Sequence, residues 1–275
     1  MSKPLPKLIG KTTNFISYFS SRYAAHLAIK LFSSPQKGKI SQEESQYLDS
    51  AIKNIVTHDD IALMTYHWKG KKDTILLVHG WESNSFRWKD LIELLRQEDY
   101  NIISVDAPAH GGSGSKIFNA PLYSECINTI IKHFRVGIIV GHSVGATASA
   151  IALHNYNIPS AKKLISLGAP SNFNNTINSY INMMGYNHKV VKAMNKNFMK
   201  HFGYLPEYLT ISNFSQNIKA ETLIIHDKKD RIISYRDALD IKKHLKDSKL
   251  IKTIGLGHGL KSDKVYQAIL AFLKV

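Results

Sequence analysis

The chain is poor in cysteine, in long apolar runs and, over two wide stretches, in carboxylates. Its 275 residues include one cysteine, Cys126, so no internal disulfide can form and nothing points to an oxidising compartment. With no second motif around it, Cys126 reads as a small buried apolar residue. No apolar run approaches the roughly 18 residues that a membrane-spanning helix needs. The N-terminus lacks a compact apolar stretch followed by a small-residue cleavage site, which argues against a secretory signal and for a cytoplasmic protein. The 13 histidines are scattered without the paired spacing of a zinc site, so neither a metal nor a cofactor is expected.

Asp and Glu are missing from residues 1–40 and again from 126–206, which carry seven and eight Lys/Arg. These two blocks account for the whole net charge of +15, and the rest of the chain is neutral. Such blocks either attract anionic partners or form a solvated basic face. No nucleic-acid motif accompanies them, so nucleic acid is not an expected partner.

From residue 73 onward the pattern alternates strand and helix. Short apolar runs rich in β-branched residues stand at 74–80, 101–107, 136–142, 163–169, 222–227 and 249–255. Near-continuous apolar runs of this length suit parallel strands buried on both faces. The segments between them, such as "FRWKDLIELLRQ" and "YRDALDIKKHLKD", have helical spacing. An α/β fold with a doubly wound, mostly parallel sheet is therefore expected.

About fifty residues separate the fourth of these runs from the fifth, too many for an ordinary connection. They include "NHKVVKAMNKNFMKHFG", where Val190, Met194 and Phe198 repeat on one side and Lys192, Lys196 and Lys200 on the other. Residues 172–218 are read as a helical cap inserted into a core of residues 51–171 and 219–275. Its apolar face, with Met183 and Met184, either packs on the protein or lines an acyl pocket. Residues 1–50 read as a helical extension. Phe15, Phe19, Tyr23, Leu27 and Leu31 recur at helical spacing, and "SQEESQYLDSA" starts a further helix with a Ser-x-x-Glu cap. A basic, amphipathic N-terminal helix either packs its stripe on the protein or makes peripheral contact with an anionic membrane.

Gly141-His142-Ser143-Val144-Gly145 falls where a buried strand becomes a helix, the context that a nucleophile elbow requires. A serine hydroxyl needs a base, and the base needs an orienting acid. The strand at 222–227 runs into "DKKDRIIS", offering Asp227 and Asp230, and the last strand is followed by "GLGHGL" with His258. Strand C-termini share one edge of a parallel sheet, so these groups converge there.

From about residue 73 onward the sequence resembles the α/β-hydrolase-fold enzymes. "LLVHGW" is similar to that family's oxyanion loop, and "DAPAHGGSG" to its Asp-x-Pro-x-His-Gly-x-Ser segment. "GHSVG" is similar to the elbow, and "IIHDKKDRIIS" and "GLGHGL" to the acid and histidine loops. The resemblance puts the acid on Asp230, with Asp227 in reserve. It implies that Ser143 is the nucleophile, His258 the base, and the N–H groups of Val144 and Trp81 the oxyanion donors. The expected activity is hydrolysis of a small-molecule carboxylic ester or thioester through an acyl-enzyme. An acyltransferase or carbon–carbon bond hydrolase would use the same triad, and a non-catalytic binding protein could keep the same fold. His142 is expected to be structural or pocket-lining, His79 and His110 to shape loops, and Asp106 to brace the turn after its strand. The Trp81 indole is placed to wall a pocket.

Overall fold

Eight strands form one sheet in the computed structural model, which describes residues 4–274: β1 (Ile52–His58), β2 (Ile61–Trp68), β3 (Thr74–Val78), β4 (Asn101–Val105), β5 (Ile138–His142), β6 (Lys163–Leu167), β7 (Glu221–Asp227) and β8 (Lys249–Thr253). The helices are α1 (Pro4–Phe19), α2 (Ser21–Ser33), α3 (Gln42–Leu48), α4 (Lys89–Gln97), α5 (Ala120–Phe134), α6 (Val144–Tyr156), α7 (Phe173–Met184), α8 (His188–Phe202), α9 (Ile211–Phe214), α10 (Tyr235–His244) and α11 (Asp263–Leu273). The described residues group into two compact units. One combines 35–171 with 214–275, and the other combines 1–34 with 172–213.

The sheet belongs to the first unit, in the order β1-β2-β4-β3-β5-β6-β7-β8. β3 to β8 are mutually parallel, as the six apolar runs predict. Ile75, Leu77, Val140 and Ile165 pack on one face with Leu91 and Leu95 of α4 and Ile269 of α11. Leu76, Val78 and Ile139 alternate with that set and are also fully buried. Both faces are covered, which is why these strands read as continuous apolar runs. β1 and β2 form a hairpin that pairs antiparallel with β4 and lies outside the predicted alternation. Its two-residue turn is Asp59-Asp60, where Asp59 takes a left-handed φ of 47°.

The chain leaves β3 for β4 on one side and returns to β5 on the other. At such a switch the loops leaving the carboxyl ends of two adjacent strands diverge, opening a crevice. Those loops begin at His79 and Ser143.

Asp106, just past β4, is fully buried and braces this edge. Its carboxylate accepts from the amides of Ser85 and Gly112, both at 2.8 Å, and from the Tyr66 hydroxyl at 3.1 Å. Burial pushes its pKa up, and these hydrogen bonds oppose that rise. Gly111 approaches so closely that a Cβ there would stand 2.0 Å from an Asp106 oxygen. Cys126 of α5 is fully buried, and burial pushes its thiol up to about 12. α3 begins with the expected cap: Ser41 Oγ accepts from the Glu44 amide, and the Glu44 carboxylate accepts from the Ser41 amide at 2.8 Å.

The second unit contains α1, α2, α7 and α8. Ala24, Ala25 and Ala28 of α2 pack with Met184, Tyr186, Val190 and Met194. Gly10 of α1 crosses α7 so closely that a Cβ would stand 1.7 Å from the Met184 carbonyl oxygen. Asn14 ties both sides of the α7–α8 turn, donating to the Gly185 carbonyl and accepting from the Asn187 amide, both at 2.8 Å. The division differs from the one expected at residue 50. Residues 35–50 go with the sheet, where Leu48 joins the core, while 1–34 go with α7 and α8.

Asp106→Ala should lower stability by about 2–4 kcal/mol, because two amides and a hydroxyl lose a buried acceptor. The fall in the urea midpoint against wild type checks this.

Candidate active site

Ser143 stands where β5 gives way to α6. Its amide continues the sheet ladder, donating to the Leu167 carbonyl at 2.8 Å. Its φ of 54° and ψ of −130° then reverse the chain. An L-residue held there carries strain on the order of 1–3 kcal/mol, so the surroundings must enforce it. They do so by crowding. A Cβ at Gly141 would lie 2.5 Å from the Ala146 Cα, and one at Gly145 would lie 2.3 Å from the His79 carbonyl oxygen. Gly80, on the loop after β3, is also tight, since a Cβ there would be 3.0 Å from the Ser143 Cβ.

Three side chains from three strand ends meet in line. His258 Nε2 lies 3.1 Å from Ser143 Oγ, and its Nδ1 lies 2.7 Å from Asp230 Oδ2. The Asp230 carboxylate has no solvent exposure, and its second oxygen accepts from the amides of Ile232 and Ile233 at 2.8 and 3.0 Å. With Nδ1–H donated to Asp230, the Nε2 lone pair faces the serine hydroxyl. That is the arrangement a general base requires.

Asp227 does different work. It is fully buried and accepts from Thr253 Oγ1 and from the amides of Lys229, Gly255 and Leu256 at 2.7–3.2 Å. Burial alone would push its pKa up, but these hydrogen bonds outweigh it and hold the carboxyl at about 2. It therefore anchors the loops that carry Asp230 and His258, and none of its bonds reaches the histidine ring.

Val144 opens α6, so its amide is one of the helix's orphan donors. Trp81 follows Gly80 on the facing loop. Neither amide has a hydrogen-bond acceptor among the described residues. The Trp81 indole is partly exposed and packs edge-on against His110 and tilted against Phe118, with centroids 5.5 and 5.4 Å away.

The other histidines hold backbone. His79 Nε2 accepts from the Ala107 amide at 2.9 Å, and His110 Nε2 accepts from the Glu82 amide at 3.0 Å. His142 Nε2 donates to the carbonyl of His258 at 2.8 Å. Burial, and then the charge of Arg87, pushes the His142 pKa well down, which keeps the ring neutral.

Two participants were not foreseen. Arg87, within a helical segment that looked amphipathic, is buried and donates from Nη2 to the Gly259 carbonyl at 3.0 Å. Burial lowers its pKa to about 10, which leaves it cationic at neutral pH. Arg87 and His142 thus grip consecutive carbonyls of the histidine loop. His226, fully buried in β7, lies 3.0 Å through Nε2 from the Ile233 carbonyl and 3.4 Å from Asp230 Oδ2. Its place one residue before Asp227 in an apolar run was the only available signal.

A family model described as the α/β hydrolase fold matches residues 73–208. An uncharacterised hydrolase of Bacillus subtilis, YugF, is 30% identical over 102 residues, covering 35% of this chain and 37% of that protein. Pimeloyl-acyl-carrier-protein methyl ester esterase of Vibrio cholerae is 29% identical over 114 residues, covering 40% and 43%. The matched stretches thus span less than half the length of these curated relatives. Among solved structures, an esterase of Pyrococcus furiosus superposes with a TM-score of 0.67 at 18% identity, covering 88% of this chain and 97% of that one. The chain has the α/β-hydrolase fold.

Asp227→Asn should destabilise the protein by about 2–3 kcal/mol at pH 7, since amides and a hydroxyl that faced a carboxylate lose its charge. The folded pKa lies below the unfolded one, so this stabilisation is fully present above the unfolded value of about 3.9. It is lost as pH falls from there through about 2. Urea midpoints of the two proteins should therefore converge across that range.

Proposed function

We propose that the protein is a serine hydrolase cleaving a carboxylic ester or thioester through an acyl-enzyme on Ser143. One observation carries the reading: a serine held at positive φ is hydrogen-bonded to a histidine whose other nitrogen meets a fully buried carboxylate. Backbone strain at a residue with this partner is a hallmark of functional sites. The esterase relatives point to the same substrate class by name.

In this reading His258 takes the Ser143 proton as Oγ attacks the carbonyl carbon, then passes it to the departing alcohol or thiol. Asp230 holds the imidazole in its tautomer and stabilises the imidazolium that forms. The free amides of Val144 and Trp81 receive the oxyanion, donors of this kind contributing about 3 kcal/mol each in the transition state. The second half of the cycle repeats these steps with water as nucleophile. Arg87 and His142 touch no reacting atom and act by positioning the histidine loop.

A fluorophosphonate probe should add one adduct to the wild type by intact mass and none to Ser143→Ala. Against a short-chain ester panel, Ser143→Ala and His258→Ala should lose roughly 10⁴–10⁶ in kcat, and Asp230→Ala about 10³–10⁴. A folded wild type that takes no label and hydrolyses no ester or thioester would overturn the proposal.

A further inference from the structure

α1 carries a row of large apolar side chains on the outside, while Ile9 and Ile16 of α1 and Ile29 of α2 are half-buried against the core of the unit. The fully buried positions are small: Gly10, Thr13 and Ser17 on α1, and Ala24, Ala25 and Ala28 on α2. Leu5, Leu8, Phe15 and Phe19 are 61–80% exposed. Their spacing of three, seven and four residues places them on one helical face. Tyr18 and Tyr23 beside them are exposed as well. The rings of Phe15 and Phe19 meet edge to face at 5.3 Å, so the face is a joined patch rather than scattered side chains. Of the stripe that periodicity singles out, Phe15, Phe19, Tyr23 and Leu31 are exposed and Leu27 is half-buried.

Charge surrounds it. Lys7 and Lys11 are exposed on α1, and Lys189 Nζ sits 4.4 Å from the centroid of the Tyr18 ring. Lys192, Lys196 and Lys200 line the exposed side of α8 in the same unit. Segments 1–34 and 172–213 together hold nine Lys/Arg against a single carboxylate, Glu207. No helix among the described residues is long and apolar enough to cross a membrane.

We propose that the face formed by Leu5, Leu8, Phe15, Tyr18 and Phe19 docks this unit on the surface of an anionic lipid bilayer. An in-plane helix of this kind sinks aromatic and leucine side chains to the acyl boundary, while lysines meet the headgroups. Lysine stems cover apolar surface and keep their ammonium groups among phosphates. Charge complementarity selects this occupant over a second copy of the chain. A dimer through this face would press two strongly basic units together, whereas an anionic leaflet supplies the missing negative charge. The inference is independent of the chemistry at Ser143.

The test is sedimentation of the full chain with phosphatidylcholine vesicles, with and without about a third phosphatidylglycerol, at low and raised salt. The wild type should co-sediment with the anionic vesicles at low salt, weaken as salt rises, and stay largely in solution with neutral ones. Phe15→Ser with Phe19→Ser should lower the partition coefficient roughly tenfold or more, because two aromatic anchors are lost. That variant should keep the wild-type circular dichroism and soluble-ester turnover. Lys7→Gln with Lys11→Gln should weaken anionic binding and flatten its salt dependence. Three results would overturn the proposal: no co-sedimentation of wild type at low salt, full binding by the double Phe variant, or a dimer by light scattering that this variant dissolves.

Discussion

The backbone reversal at Ser143 is the constraint on which the rest of the architecture depends. A residue with a Cβ at φ 54° and ψ −130° is strained, and its surroundings must hold it there. Here β5 is clamped between β3 and β6, and its ladder reaches the Ser143 amide itself. α6 must then start at once, and three backbone segments come within the reach of one methyl group of each other. Gly80, Gly141 and Gly145 follow from that geometry. The same crowding carries the loop after β3 toward the serine, so the amide of Trp81 and the N-terminus of α6 border one small volume.

Around this turn, buried polar groups divide between holding loops and meeting the serine. Asp106, Asp227, His79, His110, His142 and Arg87 spend their hydrogen bonds on backbone or on neighbouring hydroxyls. Asp230 and His258 point at other side chains. The two aspartates show how environment separates residues of one type. Asp227 collects donors from four residues of its own and the next loop, whereas Asp230 spends one oxygen on amides and keeps the other for imidazole. His226 of β7 lies against that second oxygen too, so the Asp230 carboxylate meets two histidine rings.

What could be read beforehand follows the range of each interaction. The six parallel strands were legible because burial on both faces leaves an uninterrupted apolar run. The meeting of Ser143, Asp230 and His258 was legible because each follows such a run, and parallel strands deliver their ends to one edge. Asp230 could be chosen over Asp227 only by resemblance, since both stand in one short loop and their hydrogen bonds decide between them. The β1–β2 hairpin was missed although "THDDIA" places two aspartates between alternating residues, a turn that tolerates left-handed φ. Arg87 stayed hidden because its acceptor lies 172 residues away. The N-terminal stripe was found, but periodicity does not say which face is buried, and here Ala24, Ala25 and Ala28 with Ile9, Ile16 and Ile29 occupy the interface.

The pairing of α1 and α2 with α7 and α8 joins segments separated by six of the eight strands. Synthesis runs at about 5–20 residues per second, so the first two helices leave the ribosome on the order of ten seconds before their partners exist. Through that interval both their alanine face and their aromatic face are open to water. The native interface they await sets their alanines against Met184, Tyr186, Val190 and Met194. Nascent-chain vulnerability is therefore concentrated in α1 and α2, and closure of the second unit is a late event that waits for residue 202 to be made.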